Sequence, residues 1–231
     1  MKPYVICHMN SSVDGRILGS RWRPSENRMA GLFERIHEEL GGGSWLIGRV
    51  TGSEYAKTRA YPTHAEQTFS REHWFARRDA KAYGIALDAQ GKIAWGRSDI
   101  GSDPVVAVLT EQVSDAHLAG LRRDQVSYIF AGKRELDLGL ALEILNRELG
   151  IERLLLEGGG GSNGAFLRAG LIDEISLAIC PAIDGAKGAP SIFDSSDSDA
   201  GVSAPITAMT LASSEVLEGG AVWLRYRLQN R

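Results

Sequence analysis

The run Glu157-Gly158-Gly159-Gly160-Gly161-Ser162-Asn163-Gly164 concentrates more chemically useful backbone than any other part of the sequence. Glycine has no Cβ, so main-chain N–H groups in such a run can approach a bulky anion. A helix beginning there adds its own free N–H groups and the positive end of its dipole. The chemistry this permits is the cradling of a pyrophosphate, with Ser162 and Asn163 as donors or caps. Gly159, Gly161 and Gly164 also satisfy G-x-G-x-x-G, a spacing that a glycine-rich tight turn meets equally well. Taken singly, Arg49 is an ordinary surface cation.

Three carboxylates and their neighbours supply acid–base and hydrogen-bonding chemistry. Asp14-Gly15, which follows the polar side chains Asn10 and Ser12, is by itself a plain turn signal. Glu26 lies three residues before Met29 and seven before Phe33, on the apolar face expected of a helix. A carboxylate there either serves the helix dipole at the surface or points into a cleft, where burial would raise its pKa and suit it to proton donation. Glu157 ends an apolar run beside the glycines and would orient a substrate or accept backbone N–H bonds. Trp22 can wall a pocket by stacking or simply pack.

These residues need elements to hold them. A β-prone run over residues 4–9 ends at the turn Asp14-Gly15. Pro24 and Ser25 introduce a helix with Met29, Leu32, Phe33, Ile36 and Leu40 on one face, stopped by Gly41-Gly42-Gly43. Strands are expected at residues 44–47, 84–87, 105–109, 126–130, 153–156 and 174–179. Helices are expected at 114–121, after the cap Asp137, and from the glycine run to Gly170. Residues 55–78 carry no clear period, and residues 194–201 read as an acidic, serine-rich surface loop. Residues 206–213 and 222–228 flank Glu218-Gly219-Gly220 as a β-hairpin. Alternating βα units with an antiparallel ending imply an α/β fold, a mixed sheet covered on both faces. No linker divides the 231 residues, so one domain over 1–231 is expected.

The 26 basic and 29 acidic side chains are interspersed, which gives no electrostatic reason for a nucleic-acid partner. No apolar run approaches the roughly 18 residues of a membrane helix, and the N-terminus enters a strand-like run, so no membrane partner and a cytoplasmic location are expected. Only Cys7 and Cys180 occur and the five histidines lack ligand spacing, so no metal is expected. His64-Ala65-Glu66 has deaminase H-x-E spacing without the accompanying Pro-Cys-x-x-Cys. No histidine is assigned a catalytic role.

The blocks Ser11-Ser12-Val13-Asp14-Gly15-Arg16-Ile17, Trp45-Leu46-Ile47-Gly48-Arg49-Val50-Thr51 and the glycine run with its flanks, followed by Leu171-Ile172-Asp173-Glu174 and Pro181, resemble the riboflavin-biosynthesis pyrimidine reductases. These are a branch of the dihydrofolate-reductase-like fold. The resemblance implies a mixed, mostly parallel sheet with helices on both faces and a C-terminal antiparallel β-hairpin, commonly in a homodimer. It implies NADPH as hydride donor to a ribosylamino-pyrimidine phosphate, of the 5-amino-6-(5-phosphoribosylamino)uracil type. Gly158, Gly159, Gly160, Gly161 and Ser162 then correspond to the pyrophosphate cradle, and Gly48, Arg49 and Thr51 to a second cofactor segment. Thr110 corresponds to a position that helps hold the adenosine 2′-phosphate, but Glu111 beside it would repel that group, which keeps NADH open. Asn10, Ser12, Trp22 and Glu157 fall on the substrate side, and Asp14 and Glu26 are the candidate proton donors. The family's acidic-Pro-Leu-x-x-Arg segment is replaced by Gly52-Ser53-Glu54-Tyr55-Ala56-Lys57, which leaves room for a pterin or dihydrofolate substrate. A non-catalytic dinucleotide-binding module would keep the cradle without the substrate pocket.

Overall fold

The computed structural model describes residues 1–25, 29–58, 60–64, 66–196, 199 and 201–230. In chain order the elements are β1 (Tyr4–Ser11), α1 (Leu32–Glu39), β2 (Trp45–Gly48), α2 (Arg49–Tyr55), β3 (Gly84–Leu87), β4 (Asp99–Ile100), β5 (Asp103–Leu109) and α3 (Asp115–Arg123). They continue with β6 (Ser127–Phe130), α4 (Leu138–Leu149), β7 (Arg153–Leu156), α5 (Gly160–Arg168), β8 (Glu174–Ile179), β9 (Ile206–Val216) and β10 (Val222–Asn230). They fall into two units, one of residues 1–3 and 43–154, the other of residues 4–42 and 155–231.

In the first unit β2, β3, β5 and β6 are parallel neighbours in that order. Their apolar residues are buried without alternation, from Leu46 and Ile85 to Val106 and Ile129, as expected for strands covered on both faces. Capping sets the helix ends: the Ser114 and Asp137 side chains accept from the His117 and Leu140 amides, and Gly150 closes α4 in the left-handed conformation. Residues 55–78, which showed no period, are held by long-range side-chain bonds. Tyr61 donates to Asp124 (2.8 Å), and Arg71 donates to Asp115 (2.7 Å) and to the carbonyl oxygens of Phe69, Glu111 and Val113.

In the second unit β1 and β8 are parallel, and β10 runs antiparallel to both β8 and β9. The β9–β10 hairpin forms as the sequence implies, with Gly219 and Gly220 at positive φ in its turn. The fold is thus the α/β type expected, with parallel strands, flanking helices and an antiparallel end.

Two local expectations are corrected. The helix foreseen from Pro24 begins only at Leu32, because Met29 (φ 53°) and Gly31 (φ 76°) are left-handed and interrupt any right-handed helix; Met29 is therefore not on its face. Arg49 and Thr51 are not at a strand end but in the first turn of α2, to which Gly48 is the extended N-cap.

His8 illustrates how the second unit's core handles polarity. Its Nε2 faces the Phe33 carbonyl (3.1 Å), its Nδ1 faces Ser176 Oγ (3.3 Å), and its ring stacks on Phe33. Trp223 Nε1 donates to the same Ser176 oxygen. Burial pushes the His8 imidazole down to about 4, against the smaller opposing effect of its hydrogen bonds. The unfolded chain therefore binds more protons between about pH 6.5 and 4, and stability should fall as pH drops through that window, by on the order of 3 kcal/mol at its lower end. Urea midpoints across this range, with an NMR titration of the His8 ring, test this; a ring that titrates near 6.5 in the folded protein would contradict it.

Candidate active site

Helix α5 begins at the glycine run. Its N-cap Gly159 makes no side-chain cap, so the amides of Gly160, Gly161 and Ser162 occupy the first turn, where a helix offers no internal acceptor. The glycines do different jobs. A Cβ on Gly160 would overlap the Ser191 carbonyl oxygen, and one on Gly164 would overlap the Asp194 carbonyl oxygen. A Cβ on Gly161 would meet nothing within 4 Å. Gly158 is left-handed (φ 90°) and lies against Met9, with 3.2 Å from a built Cβ to its sulfur. Asn163 is not a free donor, since its amide group donates to the Ile192 carbonyl (2.9 Å). Residues 191–194 thus lie against α5, and only the Gly161 side of its first turn is left open for an anion.

Glu157, between β7 and this turn, is nearly buried (side chain 9% exposed) and lies 2.7 Å from His37 Nδ1 on α1. The sequence placed Glu157 in the site and gave His37 no role. The signal available was position: His37 is four residues after Phe33 and three before Leu40, on the flank of the apolar stripe that α1 buries. Cys7 on β1 is fully buried, and burial, with the Glu157 carboxylate second, pushes its thiol far up.

The substrate-side loop is fastened to residues 182–191. Val13 N donates to Ala182 O (2.8 Å), Ile17 N to Pro190 O (3.2 Å), and Arg23 and Ile183 exchange both backbone bonds (2.9 Å each). Asp14 accepts from Ser12 Oγ (2.6 Å), Asp184 N (3.1 Å) and Gly185 N (2.9 Å). These donors, the Ser12 hydroxyl foremost, hold its carboxyl well below the usual carboxylate range. Asp14 is accordingly the clasp of the loop, and the expectation that it releases a proton is corrected; Ser12 is spent on it in turn. Asn10 Oδ1 and Trp22 Nε1 are buried with no hydrogen-bond partner. Glu26 lies outside the described residues.

In the first unit the exposed guanidinium of Arg49 and the half-buried Thr51 stand at the start of α2. Thr110 does not fit the phosphate-binding role: it is fully buried and its hydroxyl donates to Ala89 O (2.6 Å). A cavity of about 320 Å³ lies further along α2, lined by Ser53, Ala56, Lys57, Thr58, Lys92, Ile93 and Ala94, none of them a predicted site residue. Among the described residues no helix is long and apolar enough to cross a membrane, and no cluster of His, Cys, Asp and Glu suits a metal ion.

This architecture is that of the pyrimidine reductase-like proteins: the structure of one from Corynebacterium diphtheriae superposes with a TM-score of 0.71 over 99% of this chain and 93% of that one, at 16% identity. The sequence profile of the RibD C-terminal domain matches residues 3–223, and the chain belongs to that family. Over 91 residues it is 40% identical to the 2,5-diamino-6-ribosylamino-4(3H)-pyrimidinone 5′-phosphate reductase of Methanothermobacter thermautotrophicus, a match spanning 39% of this chain and 41% of that protein. The reductase of the same name from Archaeoglobus fulgidus is 21% identical over 84% of this chain and 87% of its own.

The division of labour among the glycines can be measured. Gly164→Ala should cost about 1–3 kcal/mol, because the backbone of Asp194 must move. Gly161→Ala should hold or raise stability by up to about 1 kcal/mol, as a helix interior prefers alanine. Thermal midpoints of the two variants decide; equal losses would mean that Gly161 is also a packing glycine.

Proposed function

We propose that residues 1–231 act as one domain of an NAD(P)H-dependent reductase that takes a ribosylamino-pyrimidine phosphate, of the 2,5-diaminopyrimidinone kind named for its relatives. The observation that carries this reading is the open first turn of α5 at Gly161, beside a nearly buried Glu157. The residues present fit a dinucleotide. In the second unit the amides of Gly160, Gly161 and Ser162 would hold phosphate. Taken by themselves in the first unit, Arg49 and Thr51 at the start of α2 carry groups that can donate to phosphate oxygens. A reduced nicotinamide supplies hydride when bound. With Thr110 committed to Ala89, NADPH rather than NADH rests on Arg49 and on the family resemblance.

Asn10 and Trp22, which the family resemblance sets on the substrate side, keep Oδ1 and Nε1 buried without a hydrogen-bond partner. Glu157, oriented by His37, accepts from a substrate hydroxyl or N–H. Glu26 is retained as the candidate proton donor. We also propose a cytoplasmic homodimer. The outermost strand of the second unit, β9, is exposed over nearly its whole length and carries one charge, Glu215, the kind of edge that soluble proteins otherwise protect.

Calorimetric titration with NADPH and NADH, then loss of reduced-nicotinamide absorbance with the diaminopyrimidinone phosphate, its uracil counterpart and dihydrofolate, tests the reading. Affinity for NADPH with turnover of a pyrimidine phosphate is expected; no affinity for either nucleotide would overturn it. Glu157→Gln should lower kcat/KM by about 10- to 100-fold, the worth of one hydrogen bond to a charged group, while leaving NADPH affinity within a fewfold. A matching loss of NADPH affinity would move Glu157 to the cofactor side.

A further inference from the structure

The imidazole of His37 and the carboxylate of Glu157 come from two elements that are each anchored elsewhere in the second unit. Helix α1 buries Leu32 and Ile36, and its Phe33 ring stacks on His8 of β1. His37 stands one helical turn beyond Phe33, so its ring is carried by a docked helix and not by a loop. The chain then folds back: the amides of Gly41 and Gly42 donate to the carbonyl oxygens of Glu38 (2.8 Å) and His37 (2.9 Å). A Cβ on Gly42 would stand 3.8 Å from His37 Nε2, so this turn lies against that edge of the ring. On the other side, Glu157 follows the fully buried Leu155 and Leu156 and precedes Gly159, the N-cap of α5.

The two side chains meet with His37 Nδ1 2.7 Å from Glu157 Oε1. A carboxylate only accepts, so Nδ1 is the donor. The two histidines of this region are used differently. His8 is fully buried and turns both ring nitrogens to core groups, the Phe33 carbonyl and the Ser176 hydroxyl. His37 keeps 17% of its side chain exposed and Glu157 keeps 9%, so the pair borders solvent. It also borders the turn in which a Cβ on Gly161 would meet nothing within 4 Å. A glutamate side chain turns about several bonds, and an acceptor already held by one oxygen loses less of that freedom when a ligand arrives.

We propose that His37 is a positioning residue: by holding Glu157 through Oε1 it sets the direction in which the carboxylate meets a substrate hydroxyl or N–H, and it affects turnover only through Glu157. This rests on the substrate reading above. Asparagine at position 37 can set a side-chain N–H near the place of Nδ1 and donate to the same oxygen, whereas alanine cannot.

The test compares wild type, His37→Ala, His37→Asn, Glu157→Ala and the double variant His37→Ala with Glu157→Ala. The readouts are kcat/KM for the diaminopyrimidinone phosphate, its calorimetric affinity without cofactor, and NADPH affinity. His37→Ala should lower kcat/KM about tenfold and leave NADPH affinity within a fewfold. His37→Asn should return kcat/KM to within about threefold of wild type. In the Glu157→Ala background His37→Ala should cost nothing further, because no carboxylate remains to be held. A loss that persists in that background, or an asparagine variant no better than alanine, overturns the proposal, since a packing role for the ring would give both. Calorimetric affinity needs no turnover: weaker pyrimidine binding in His37→Ala, relieved in His37→Asn, without any oxidation of reduced nicotinamide would sustain the proposal and sink only the reductase reading. Thermal midpoints show whether Glu157→Ala has folded; where it has not, the comparison of alanine with asparagine at position 37 decides alone.

Discussion

The carbonyl of Asp194 rests where a side chain on Gly164 would be, and the carbonyl of Ser191 rests where one on Gly160 would be. Main chain meets helix without any side chain between them, and the rest of the second unit's candidate site follows from that contact. The segment that ends at Asp194 begins just past β8, and on its way it fastens the loop after β1 through Ala182, Ile183 and Pro190. One stretch of chain therefore closes one side of the α5 terminus, fixes Asp14 as a clasp and buries Trp22 and Asp184. Displacing it by the width of a methyl group would disturb all of these together, since packed interiors transmit strain rather than absorb it.

Within that frame the buried polar groups divide into satisfied and unsatisfied. His8 has a partner for each ring nitrogen and behaves as core. Asp14 spends both oxygens on the loop. Asn10, Trp22, Asn163 and Asp184 each keep one atom without a partner, Asn163 its Oδ1 although its amide N–H is spent on Ile192. Burial is common to both groups, so burial alone does not mark a functional residue. Glu157 belongs with neither group, since His37 Nδ1 holds it at 2.7 Å while a Cβ at Gly161 in the turn it borders would meet nothing.

What was legible in the sequence was local. The bounds of β7 were read from a nearly continuous apolar run and the start of α4 from the cap Asp137, because those signals sit within a few residues of what they specify. The glycine run announced a turn at a helix start, but not that Gly160 and Gly164 must also leave room for residues 191–194. Residues 55–78 were opaque because their partners lie far off in sequence, Asp124 for Tyr61 and Asp115 for Arg71. His37 was missed for the same reason, its partner being 120 residues away. The late start of α1 depends on left-handed backbone at Met29, a residue type that gives no warning of it.

The pairing of residues 13–23 with residues 182–191 also bears on how a ligand would arrive. Main-chain bonds from Val13 to Arg23, with Arg16 donating to Ala189 and Arg21 to Asp184, leave these segments ordered before anything binds. Their conformational entropy is lost during folding and not during recognition. A ligand that bound beside them would meet segments already ordered, with little loop ordering left to pay for. The segments would keep nearly the same shape in the free and occupied states.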